Sequence, residues 1–193
     1  MPIRTGLDER MKSIQQDLRD YFEEARHVYS DAIDAFTKLD REVYSEAKKV
    51  RAKAREVNWD LTNNLLLILS LNQPLMKDLR IVATYLRAVD TVERLIRHAR
   101  DIARSDRSLD ENADQLPSDI VDPVTSMHGS LNSLIDITIE CLTNGGEVPA
   151  DEVREHWKAV KASHAEAVAA LSILKSDTLG GKAMRLEVIN IVN

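Results

Sequence analysis

The stretch Leu71–Arg104, LNQPLMKDLRIVATYLRAVDTVERLIRHARDIAR, decides the fold of this chain. Its apolar residues recur at alternating steps of four and three, which predicts an amphipathic helix with one face in a core. That face comprises Leu75, Leu79, Val82, Leu86, Val89 and Ile96. Pro74 is expected at the first helical position, where its missing N–H costs no hydrogen bond. Glu93 lies on the same face, and a carboxylate there needs a partner or a function.

The composition is typical of long helices with solvated outer faces. Of 193 residues, 44% are hydrophobic and 30% are charged, with 6 glycines and 5 prolines. The net charge of −6 argues against a nucleic-acid partner. Cys141 is the single cysteine, which excludes an internal disulfide and a multi-cysteine zinc site. The longest apolar run, Leu65–Leu69, is too short to cross a bilayer, and without a signal peptide we expect a cytoplasmic protein.

Apolar periodicity predicts six helices in all. The first covers residues 7–39, the second ends near Asn72, and the turn after it is so short that helices two and three must be antiparallel neighbours. The fourth begins near Ile120 and ends at Asn144, where two glycines follow. The fifth begins near Pro149, and a sixth begins near Ala183.

The two halves of the chain repeat one apolar pattern. Shifting the first half by 106 residues, the separation of Ile14 and Ile120, superposes the apolar positions of helices one and two on those of helices four and five. We therefore predict an all-α protein of two tandem antiparallel three-helix bundles. Residues 1–105 form the first and residues 119–193 the second, with the polar segment 106–118 as linker.

Five charged residues are expected to meet where helices two and three lie side by side: Arg51, Arg55, Asp90, Glu93 and Arg97. Measured from the turn at about 1.5 Å per residue, position 55 is as far back as position 93 is forward. Arg51 or Arg55 can therefore pair with Glu93 or Asp90. Two interpretations stay open: an ion-pair network that holds the helix register, or a site for an anion or a partner.

Three segments of this region resemble the PhoU family: Gln73–Arg80 (QPLMKDLR), Asp90–Arg94 (DTVER) and His98–Ala103 (HARDIA). The resemblance is good over residues 31–103, and in the second half it extends only to the architecture. It implies two tandem three-helix bundles, which the repeat indicates independently. It also implies a role in phosphate homeostasis, linking a phosphate transporter to a sensor histidine kinase.

Many members of the PhoU family carry multinuclear metal clusters on E/D-x-x-x-D motifs, and this chain departs from them. Glu93 matches the first acid of one motif, but Arg97 stands at the second, and Arg51 and Arg55 replace the acids of helix two. A hard cation needs several oxygen ligands. We therefore predict no metal and no cofactor in the first bundle, with both arginines holding Glu93 and Asp90.

The second bundle also lacks acids at the equivalent positions of helix five. The 106-residue shift places Trp157 and Lys161 there. The counterpart of residues 90–103 would lie beyond Asn193, so the sixth helix is expected to be truncated and the natural chain longer. A metal cluster in this bundle would be possible only if acids follow Asn193.

Arg80, Arg87 and Arg94 recur every seven residues and form a basic stripe on helix three. We interpret this stripe as a partner-binding face. With the resemblance, it predicts a non-enzymatic regulator of phosphate uptake or signalling that acts by protein–protein contact. The implied partners are a phosphate transporter ATPase or a sensor histidine kinase, with membrane association only through them. A homodimer is also expected.

Two other functions remain as alternatives. A metal-binding bundle of the ferritin-like or multinuclear type is one, but Glu24 and His27 form a single E-x-x-H where a ferritin-like centre uses two. The other is a plain coiled-coil scaffold that dimerises through helix one.

Overall fold

A computed structural model describes residues 2–40, 42–72, 74–107, 116–173 and 188–189. Its elements are the helices α1 (Pro2–Lys38), α2 (Val43–Asn72), α3 (Lys77–Arg107), α4 (Ser118–Asn144) and α5 (Ala150–Ile173). The described ranges contain no strand, and the all-α prediction is confirmed. Over the same ranges, no helix is both long and apolar enough to cross a membrane.

Helices α1, α2 and α3 pack against one another as an antiparallel three-helix bundle. The helical period places large side chains from all three helices in its interior, where they are almost fully buried. These side chains are Leu18 and Tyr21 of α1, Leu65 and Ile68 of α2, and Val82, Val89, Val92 and Ile96 of α3. This packing sets the relative positions of the charged residues on α2 and α3.

The start of α3 differs from the sequence-based prediction. The helix begins at Lys77, so Pro74 is not its first residue. Met76 has a left-handed backbone with φ 48°, which reverses the chain before the helix begins. Leu75 is 77% exposed and Leu79 is 48% exposed, so their assignment to the core face was wrong.

Helices α4 and α5 pack on each other, and α4 also packs on α1. Gly145 ends α4 in a left-handed conformation with φ 65°, and its N–H donates to the carbonyl of Cys141. One buried cluster contains Phe36 and Ala99 together with Ile120 and Leu171, so side chains of both halves share a core.

Helices α3 and α4 include both ends of the predicted linker segment 106–118. Because α3 continues to Arg107 and α4 begins at Ser118, the helical period extends into both ends of that segment. Residues 108–115 lie outside the described residues, as does most of the predicted sixth helix, of which only Val188 and Ile189 are described and helical. Val188 is fully buried against the shared core.

Candidate functional site

An ion pair joins α2 and α3 at the centre of the first bundle. Arg51 Nη1 lies 2.6 Å from Glu93 Oε1. The antiparallel packing of α2 and α3 brings the two side chains within reach of each other, although Arg51 lies about one helical turn farther from the α2–α3 turn than Glu93 does. Arg51 is only 9% exposed, and the Glu93 side chain is 24% exposed. Glu93 therefore compensates a cation that is almost completely removed from water.

The Arg51 guanidinium is not fully satisfied by hydrogen bonds. Despite the short distance to Glu93, the orientation of Nη1 does not meet hydrogen-bond geometry, and Nε has no hydrogen-bond partner among the described residues. The contact is therefore primarily one of charge. We expect its loss to leave Arg51 with a large desolvation penalty.

Tyr21 brings α1 to the same cluster. Its hydroxyl donates a 2.9 Å hydrogen bond to the carbonyl of Ala54, one turn from Arg51 on α2. Burial raises the pKa of Tyr21, and the nearby Glu93 carboxylate raises it further. The phenol thus stays neutral beside the ion pair and ties α1 to α2.

The structure does not bring all five predicted charges together. Arg55 is exposed on α2, and within the described ranges it forms no ion pair with Glu93 or Asp90. Asp90 is exposed and instead accepts a 3.4 Å hydrogen bond from Asn58 Nδ2. Arg97 is half-buried, with no ion pair to the described residues. The pair is therefore Arg51–Glu93 alone.

The residues at this site do not fit a metal cluster. Hard cations bind several oxygen ligands, whereas Glu93 is the single acid of its motif and has the Arg51 guanidinium against it. In the described part of the chain, no group of three or more His, Cys, Asp or Glu residues could hold a metal ion. In the second half, Lys161 Nζ lies 5.3 Å from the centre of the Trp157 ring, a cation–π contact rather than an acid pair.

The basic stripe lies on the solvent side of α3. Arg80, Arg87 and Arg94 are all exposed. A spacing of seven residues keeps them on one face, because it differs from two full helical turns by only about 20°. No acidic side chain of the described residues pairs with any of the three. The stripe is therefore a row of exposed arginines that form no ion pair with the described residues.

A groove next to this stripe was not predicted from the sequence. It has a volume of about 780 Å³ and lies between α3 and α4, with α1 as its floor. Arg87 lies at its rim, while Leu131 and Leu134 form part of the α4 wall. The half-apolar pattern of α4 is the one sequence signal for this surface, and it does not reveal which neighbour α4 meets.

Comparisons with known proteins concern the fold in which this site lies. A family model described as PhoU domain matches residues 18–105, which include the Arg51–Glu93 pair and the basic stripe. The matched residues make up most of the first three-helix bundle. The crystal structure of PhoU from Pseudomonas aeruginosa superposes with a TM-score of 0.83 at 15% identity, covering 96% of this chain and 88% of that one. At this identity the likeness shows that the PhoU fold extends over both halves. No curated protein sequence matches the chain.

Proposed function

We propose that this protein is a cytoplasmic, non-enzymatic regulator of phosphate uptake or phosphate signalling that acts by protein–protein contact. The PhoU domain supports this function, because the family consists of regulators rather than enzymes. The observation that most directly supports the proposal is the basic stripe of the PhoU domain, in which three exposed arginines lack acidic partners among the described residues.

The stripe favours an acidic protein surface as its ligand. Arginine forms forked hydrogen bonds with carboxylates, and a row of like charges steers an oppositely charged partner during association. The proposed partners are the ATPase subunit of a phosphate transporter or the cytoplasmic part of a sensor histidine kinase. The protein would reach the membrane only through these partners and would bind no nucleic acid.

Binding of the purified ATPase subunit and kinase fragment from the same genome tests this proposal. Arg87→Glu should weaken binding because it places a carboxylate against an acidic surface. Lys158→Glu, on the exposed surface of α5, makes the same charge change elsewhere and should leave binding unchanged. Equal effects of the two variants, at unchanged helicity, would contradict a specific role for the stripe.

The regulator we propose works without a bound metal in the first bundle. The Arg51 guanidinium supplies positive charge beside Glu93, where the family motif would place a metal ion. Elemental analysis of protein purified without a tag should find no stoichiometric iron, zinc or manganese that depends on Glu93. Bound metal that disappears in Glu93→Gln would refute this part of the proposal.

A further inference from the structure

The groove between α3 and α4 is held open by contacts of α4 with α1. Arg26 Nη1 lies 2.6 Å from Asp136 Oδ1, and the rings of Tyr29 and His128 lie 5.4 Å apart. These contacts run antiparallel along α1 and α4. Because α3 and α4 both pack on α1, an open groove remains above α1 between the two outer helices.

The groove has the chemistry of a protein-binding surface rather than of a polar ligand site. Its floor contains the buried rings of Phe22 and Tyr29. Its walls consist mainly of half-buried apolar side chains, namely Ala88, Leu95 and Ile102 of α3 and Leu131, Leu134 and Ile135 of α4. An exposed apolar surface of this kind gains free energy when a partner removes it from water.

The dimensions of the groove match a helix. Its lining extends along α3 from Thr84 to Ser105 and along α4 from Leu142 to Met127. At 1.5 Å per residue these spans are about 32 and 22 Å. A helix of about 15 to 20 residues has this length, and amphipathic helices commonly bind in such apolar grooves.

The charges at the rim select an acidic occupant. Arg87 is exposed and has no acidic partner in the described ranges. Asp101, the acid at the rim, is already paired, since its Oδ1 lies 2.7 Å from Arg100 Nη2. Of these two charged side chains at the rim, Arg87 is therefore the one left without an ion pair, and it lies beside an apolar floor.

We propose that this groove binds an amphipathic helix of the partner protein, with its apolar face on Leu131 and Leu134 and an Asp or Glu paired with Arg87. This inference rests on the proposed function, because it specifies how the partner of the stripe is held. In this binding mode, apolar side chains at steps of three and four on the partner helix would contact the groove. The carboxylate of the partner helix would fix its position along the groove by pairing with Arg87.

Photo-cross-linking tests the occupant directly. A benzophenone side chain is introduced at Leu134, or at Lys158 as a control, and the probes are the purified transporter ATPase subunit and the kinase cytoplasmic fragment. From position 134 we expect a cross-link to a helical segment with periodic apolar residues and an acid within one turn. A cross-link to a second copy of this chain, or to a non-helical segment, would overturn the proposal, as would equal cross-linking from both positions.

Two classes of variant separate this inference from the proposed function. Ala88→Trp fills the groove and Leu134→Asp makes its wall polar, and each should weaken binding at least about tenfold, as expected for a central interface contact. Arg94→Glu alters the stripe without lining the groove. If Arg94→Glu weakens binding while both groove variants bind normally, the groove proposal fails and the function stands. If the wild-type chain binds neither probe, both fail.

Discussion

Replacing Glu93 by Ala should destabilise the first bundle far more than replacing an acid of a surface ion pair. The change leaves the Arg51 guanidinium, which is 9% exposed, without its counter-charge. Breaking a buried ion pair from one side typically costs about 3–5 kcal/mol. Since the Glu93 side chain is 24% exposed, water can partly replace it, and we expect about 3 kcal/mol, the lower end of this range.

The surface pair between Lys49 and Glu46 on α2 provides the matched control. Its side chains are 74% and 66% exposed and their charged atoms are 3.0 Å apart. Removing an exposed pair typically costs about 0–1 kcal/mol, so Glu46→Ala should have a small effect. In a chain of this size, about 3 kcal/mol should lower the Tm by about 6–12 °C.

Removing both charges separates the pair from the rest of the packing. Arg51→Leu combined with Glu93→Leu eliminates the unpaired cation and should be within about 1 kcal/mol of the wild type, because a well-packed apolar pair often replaces a buried ion pair without loss. Urea unfolding followed by far-UV circular dichroism measures the wild type and all three variants. A Glu93→Ala cost no larger than that of Glu46→Ala, or a double variant less stable than Glu93→Ala, would refute the reasoning.

Three further predictions concern individual contacts. Tyr21→Phe should lower the free energy of unfolding by about 1–2 kcal/mol in urea titrations, because the buried carbonyl of Ala54 loses its donor. Burial lowers the pKa of His128, so below pH about 6.5 the unfolded chain binds more protons than the folded one. The free energy of unfolding should therefore fall as the pH drops through this range. The fall should be smaller in His128→Gln. Gly145→Ala should lower the Tm by an amount equivalent to about 1 kcal/mol, since φ 65° is strained for a residue with a Cβ.

The helical architecture could be predicted because it depends on short-range periodicity. Leu18, Tyr21 and Leu65 lie on continuous apolar faces, and all three are buried. It could also be predicted that an arginine of α2 lies beside an acid of α3, because an antiparallel hairpin with a short turn fixes which segments lie side by side. In both cases the relative position of the residues follows from helical geometry over a short stretch of sequence. Which of Arg51 and Arg55 forms the pair could not be predicted.

The remaining features depend on contacts between distant parts of the chain. Leu75 fits the helical period but is 77% exposed. Its exposure could not be predicted, because periodicity does not show where the helix begins or where its neighbours end. Gln15 Nε2 donates to the carbonyls of Leu142, at 2.9 Å, and Thr143, at 2.5 Å. No sequence pattern relates these residues. The α1–α4 contact and the groove beside it therefore could not be predicted.

The central proposal is that this protein regulates phosphate signalling through the stripe on α3, which lies within the residues that match the PhoU domain. A phosphate-responsive reporter, measured in the source organism after deletion of the gene, tests it most directly. The wild-type chain should restore the phosphate dependence of the reporter, whereas a variant with Arg80, Arg87 and Arg94 all changed to Glu should fail to do so at equal abundance and helicity. A reporter that responds to phosphate identically with and without the gene would contradict the function, and full restoration by the triple variant would contradict the role of the stripe.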